Sequence, residues 1–182
     1  QACLLSLLTF TGASQFAVIG VLGAGGTALT GIATASLLGM RNAIYSMIMK
    51  PILNLTGLKK FVATQITIDE STGVALNQEV RGIEASKFGF WATGIGVYVF
   101  WNLFTFLGAL GAQALGNPSA WGLDAAVPAA FLGLVWPRLV DKITKLVAFS
   151  AIALALLLIP VAPAGVPIIA TAFIAIVAGW KK

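Results

Sequence analysis

The chain has no histidine, one cysteine and few charges: only 9% of its 182 residues are Asp, Glu, Lys or Arg. The missing histidine removes the commonest metal ligand and the side chain that titrates most readily near neutrality. It also removes every nucleophile–histidine pair. The lone Cys3 rules out a disulfide framework or a thiolate metal site within one chain, and in an apolar run it reads as a small packing residue. No HExxH zinc motif, Walker lysine loop or GxSxG elbow is present. The parts for an enzyme, a metal or a cofactor are therefore lacking. The nearest approach is an intramembrane aspartyl dyad of Asp69 and Asp124, but Asp124 lies at a segment edge beside Gly122 and reads as a helix N-cap. The chain opens without Met, a basic n-region or a small-residue cleavage site, so no signal peptide is visible. It begins inside a hydrophobic pattern, and the expectation is that upstream sequence is missing.

A soluble domain carries roughly a quarter charged residues. Here 59% of the residues are hydrophobic and the mean hydropathy is +0.97. The chain reads as an all-α, polytopic transmembrane helix bundle, a single membrane domain over residues 1–182. Its net charge of +5 does not indicate nucleic acid, because the basic residues form no stripe. Lys50, Lys59, Lys60, Arg81, Lys87, Arg138, Lys142 and Lys145 sit at the ends of apolar runs, where the positive-inside rule places them. Residues 50–60, 77–87 and 138–145 accordingly read as cytoplasmic loops, and the uncharged stretch 115–122 as an external one.

The apolar runs are not all plain. The first, residues 2–22, is interrupted by Thr9-Phe10-Thr11-Gly12-Ala13-Ser14-Gln15-Phe16. Polar groups and broken backbone at membrane depth survive only where protein or a water-filled cavity satisfies them. The second run, 28–49, is long enough to span a bilayer and carries Arg41-Asn42 past its middle. The third, 61–76, holds Asp69-Glu70 at its centre, so it reads as a broken or re-entrant element within the bundle. Residues 88–114 make the cleanest span, with Gly89, Ala92 and Gly96 as a small-residue packing face and Asn102 near the centre. A run broken by Pro128 follows, and the segments 147–159 and 166–180 close the chain as a hairpin around Pro160–Gly165. The small-residue breaks at 12–17 and 125–130 are candidates for equivalent positions of an inverted repeat.

What these runs hold in common is an intramembrane constellation: Gly12, Ala13, Ser14 and Gln15 at the break, Arg41 and Asn42, Asp69 and Glu70, and Asn102. An amino acid zwitterion needs a cation or a helix N-terminus for its carboxylate, and an anion or carbonyls for its ammonium. These residues offer both. The competing reading of Arg41 is a pair with Asp69 or Glu70 that holds helices together. One arginine cannot neutralise two adjacent carboxylates, so one of them is spare for a proton or a substrate. For Asn102 and Gln15 the competing reading is an interhelical hydrogen bond. The Trp and Phe residues read as lipid or interface contacts.

Four motifs in order carry a family resemblance: Phe10-Thr11-Gly12-Ala13-Ser14-Gln15-Phe16; Arg41 with Tyr45 four residues later; Thr67-Ile68-Asp69-Glu70-Ser71; and Trp121-Gly122-Leu123-Asp124-Ala125-Ala126-Val127-Pro128-Ala129-Ala130-Phe131. Together the chain resembles the AzlC family, the large subunits of branched-chain amino acid exporters, and its actinobacterial members in particular. The resemblance implies efflux of valine, leucine, isoleucine and often methionine across the cytoplasmic membrane. It also implies a small AzlD-type membrane partner and use of the proton motive force, and it leaves association with further copies of the chain open. Where the family often has Asn-Leu-Arg-His, this chain reads Gly39-Met40-Arg41-Asn42. No histidine role carries over, and the proton falls to Asp69 or Glu70. The resemblance also carries the expectation that the family's N-terminal segment is missing from this chain. The alternative function is a non-transporting scaffold subunit of a larger complex.

Overall fold

The computed structural model describes residues 1–122 and 125–180. Every regular element among them is helical. The chain divides into two compact units, Gln1–Gln15 with Leu38–Ala114, and Phe16–Leu37 with Leu115–Lys182.

The first unit contains α1 (Ala2–Leu8), the opening turn of α2 (Gly12–Gly23), the later part of α3 (Ala28–Leu53), α4 (Gly57–Gln65), α5 (Asp69–Gln78) and α6 (Ile83–Leu115). Its long element is α6, 33 residues without interruption. Ser86, Phe90 and Gly94 recur at helical spacing and are buried, which makes one continuous inner face. Phe90 packs in a cluster with Met49, Leu53, Ala63, Ile66 and Ala75, and Ser86 ties α6 to α5 by donating to the Ala75 carbonyl at 2.8 Å. The small-residue face differs from the expected one. A Cβ at Gly94 would lie 2.9 Å from Ile66 Cδ1 and one at Gly89 would lie 3.1 Å from Val74 Cγ1, while Gly96 has nothing within 4 Å. Close approach is needed at Gly89, which points at α5, and at Gly94, which points at Ile66 just beyond α4.

Two segments read as loops are largely helix. In 50–60, α3 continues through Pro51 to Leu53, the chain turns at Asn54 (φ 45°) and Gly57 (φ 61°), and α4 then carries Lys59 and Lys60. In 77–87, α5 runs to Gln78, a 3₁₀ turn covers Glu79–Arg81, and α6 begins at Ile83. Lys, Glu, Gln and Arg are good helix formers, so their density marked exposed helix rather than loop.

The second unit contains the remainder of α2, the start of α3, α7 (Ala126–Val135), α8 (Lys142–Leu158) and α9 (Val166–Trp180). The closing hairpin is as expected: α8 and α9 pack against each other. The turn before α9 ends on Gly165 at φ 92°, where a Cβ would meet Val21 at 3.1 Å and Thr34 at 3.2 Å. Pro128 does not break a helix. It is the third residue of α7, where no intrahelical N–H is lost and the fixed φ favours initiation. Asp124 lies outside the described residues. Among the described residues one helix, Ile83–Ala112, is long and apolar enough to cross a membrane, while Gly12–Gly23 and Val166–Gly179 are apolar but shorter.

Candidate functional site

Two helix interruptions, both in the first unit, organise the site. The first is Thr9-Phe10-Thr11, between α1 and α2. A helix end leaves its last carbonyls without intrahelical partners, and here side chains satisfy them. Gln65 Nε2 donates to the carbonyls of Leu7 (3.0 Å) and Leu8 (3.3 Å), Tyr98 donates its hydroxyl to Leu7 (3.1 Å), and Gln15 Nε2 donates to Thr9 (3.1 Å). The Gln15 amide is oriented by Trp101, whose Nε1 donates to Gln15 Oε1 at 3.2 Å. The break thus precedes Gly12–Gln15, which form the first turn of α2. The expectation that this stretch faces the interior holds: Ala13, Ser14 and Gln15 are 8%, 5% and 7% exposed. Gly12 is required by the indole above it, since a Cβ there would lie 2.9 Å from Trp101 Cη2.

The second interruption is Ile66-Thr67-Ile68, between α4 and α5. Ser71 closes it: its Oγ accepts the Ile68 N–H at 3.0 Å and donates to the Ile66 carbonyl at 2.8 Å. Thr67 donates to the Ala63 carbonyl at 2.7 Å. Both hydroxyls are buried. The run 61–76 is therefore a broken helix, as its central carboxylates suggested.

Asp69 opens α5, where the helix dipole favours a carboxylate. Arg41 Nη1 donates to Asp69 Oδ2 at 2.6 Å. This is a single contact and not the two-pronged fork an arginine can make. The arginine's Nε and the aspartate's Oδ1 are buried with no hydrogen-bond partner among the described residues, although the two side chains are 38% and 24% exposed as wholes. Asn42 Oδ1, Thr72 Oγ1 and Asn102 Oδ1 are buried and unpartnered in the same sense. The Asn102 amide is held in its orientation by Nδ2 donating to the Tyr98 carbonyl at 2.8 Å. Each buried polar atom without a partner costs about 1–3 kcal/mol, and native structures keep few of them. The first unit therefore presents a charged donor and a charged acceptor from one ion pair, with three further oxygens that can accept.

The structure separates the two neighbouring carboxylates. Asp69 is paired, while Glu70 is exposed and makes no ion pair among the described residues. It brings Gly12 and Gln15 together with Trp101, and Arg41 together with Asp69. Trp101, Tyr98 and Gln65 hold the first break and were not singled out in the sequence. The signal was there for Trp101: an indole N–H remote from the membrane interface needs an acceptor.

This part of the molecule is an all-helical bundle whose interrupted helices converge on buried polar groups. The family model for the AzlC protein matches residues 1–115, and the chain belongs to the AzlC family, which is generally associated with branched-chain amino acid transport. The match ends beside Ala114, where the first unit ends, and takes in every residue of the site just described. No curated protein and no solved structure matches the chain.

Proposed function

We propose that the chain is the large subunit of an exporter of branched-chain amino acids, multi-pass in the cytoplasmic membrane, driven by the proton motive force and working with a small AzlD-type subunit. It acts as a transporter and not as an enzyme. The observation that supports this reading is the Arg41–Asp69 pair, which keeps one buried donor and one buried acceptor unpartnered. A zwitterion complements that pattern: its carboxylate takes the guanidinium Nε–H and its ammonium takes Asp69 Oδ1. The N-terminus of α5 beside it resembles the half-helix ends that receive substrate charge in other transporters. With Asp69 engaged by Arg41, Glu70 is the carboxylate left to carry the coupling proton.

The test is efflux of valine, leucine and isoleucine from loaded vesicles under an imposed pH gradient, with and without a small membrane subunit. Efflux that needs both the gradient and the subunit supports the reading. Absence of transport, with a partner complex that forms normally, favours the scaffold alternative. Topology is a separate check: cysteines introduced in 50–60, 77–87 and 138–145 should be labelled from the cytoplasmic face alone.

A further inference from the structure

A cavity lies where α3 turns into α4, and neither Arg41 nor Asp69 lines it. It encloses about 280 Å³, with Lys50 and Lys60 among its lining residues, and Met47, Leu53 and Ala63 supplying much of its apolar wall. Its apolar floor is firm: Met49 is 1% exposed, Leu53 7% and Ala63 5%. The two lysines enter from opposite arms of a tight turn, because Asn54, just past α3, and Gly57, the first residue of α4, both lie in the left-handed region. Neither lysine has an acidic partner among the described residues. From residue 50 to residue 68 the chain holds three lysines and no acidic residue.

The α4 helix has the pattern of a helix at a membrane surface. Leu58 and Phe61 lie on one face, 78% and 73% exposed, while Lys60 and Ala63 face the cavity. Basic residues on one side and exposed Leu and Phe on the other place a helix at the level of the headgroups. A basic pocket with an apolar wall at that level suits a phosphate joined to acyl chains.

We propose that this cleft binds an anionic phospholipid, with its phosphate between Lys50 and Lys60 and an acyl chain along Met47 and Leu53. The proposal rests on the membrane reading but not on transport. The cavity extends to Thr67, in the α4–α5 interruption two residues before Asp69. A bound lipid would therefore brace the segment that carries the aspartate.

The experiment uses the full chain in neutral detergent, with lipid retention counted by native mass spectrometry. The probes are phosphatidylglycerol, phosphatidylcholine and inorganic phosphate. Phosphatidylglycerol should be retained and displaced by neither of the others. The Lys50→Gln/Lys60→Gln variant should lose about thirtyfold in apparent affinity at low salt, and Lys142→Gln/Lys145→Gln, the same charge loss on α8, should change it little. Equal loss in both variants, equal retention of phosphatidylcholine, or displacement by inorganic phosphate would overturn the proposal. A measurement on the unmodified protein guards against misfolding of the variant: phosphatidylglycerol should protect Lys50 and Lys60 from acetylation more than Lys142 and Lys145. Equal labelling of the two pairs would also overturn it. If lipid is retained as expected while efflux is absent, the transport reading fails alone.

Discussion

The two units use burial differently. In the first, the buried set includes Phe10, Met49, Ile66 and Phe90, and with them Ser6, Ser14, Gln15, Thr67, Ser71, Thr72 and Ser86. In the second, the buried side chains among the described residues come down to Val21, Thr34 and Pro167, while Leu146, Phe149, Leu157 and Phe173 are 67%, 68%, 71% and 63% exposed. All of the described buried atoms without hydrogen-bond partners belong to the first unit. In water this would be an inverted arrangement, with hydrocarbon outside and hydroxyls within. In a bilayer, lipid is as apolar as leucine, so exposed hydrocarbon is tolerated and helices associate through packing and internal hydrogen bonds. On the proposed function, the contrast assigns the chemistry to the first unit, which holds the unpartnered polar atoms found among the described residues.

The largest expected effect tests that assignment directly. Arg41→Ala or Asp69→Asn should lower vesicle efflux by about tenfold to a hundredfold, the worth of a charge-assisted hydrogen bond. Arg138→Gln, the loss of an exposed charge in the second unit, should leave efflux near the unmodified rate. Comparable losses from both would erase the distinction. A second effect divides the two carboxylates: Glu70→Gln should abolish efflux driven by a pH gradient and spare exchange of substrate between the two sides. Full pH-driven transport in that variant would remove Glu70 from the mechanism.

Stability changes should be smaller and should depend on position. Gly94→Ala puts a methyl 2.9 Å from Ile66 Cδ1 and should destabilise by about 1–3 kcal/mol through overpacking. Gly96→Ala, with open space around it, should stabilise by up to about 1 kcal/mol through helix propensity alone. Thermal midpoints in detergent would show the opposite signs, and equal shifts would mean that the close approach of Ile66 is not real. Gln65→Leu should cost about 1 kcal/mol, because it leaves the Leu8 carbonyl without its side-chain donor. The smallest change is expected in the second unit, where Phe149→Leu on an exposed face of α8 should stay within about 0.5 kcal/mol.

Much of this was legible in the residues. A run of hydrocarbon broken by Thr, Ser and Gln, and another broken by Asp69-Glu70, announced interrupted helices, because lipid offers no partner for such groups. The position of the first break was misjudged by a few residues. Gly12, Ala13 and Ser14 look like a helix breaker, but they form a helical turn once Trp101 covers Gly12 and Thr11 accepts the Gln15 N–H at 3.1 Å. Pro128 misled for a related reason, since proline breaks a helix interior but opens a helix in its first turn. The lysine- and glutamate-rich stretches read as loops from sequence alone, because polarity reports exposure and says little about backbone conformation.

By itself, then, the order of residues determined the helical class, the membrane character and the list of polar residues that lipid would not tolerate. These follow from local composition and from the cost of an unpaired polar group in hydrocarbon, and neither depends on which helices meet. Only the tertiary structure decided which of those residues act together. Asp69 and Glu70 are adjacent in the chain and indistinguishable in chemistry, yet successive helical residues are about 100° apart on the helix. Asp69 reaches Arg41 while Glu70 remains exposed. Gln65 has nothing in its own neighbourhood to mark it, and Trp101 shows only an indole N–H that needs an acceptor, with no sign of which one. Their roles exist because α4 and α6 bring an amide and an indole to an interruption 57 and 86 residues away in the chain.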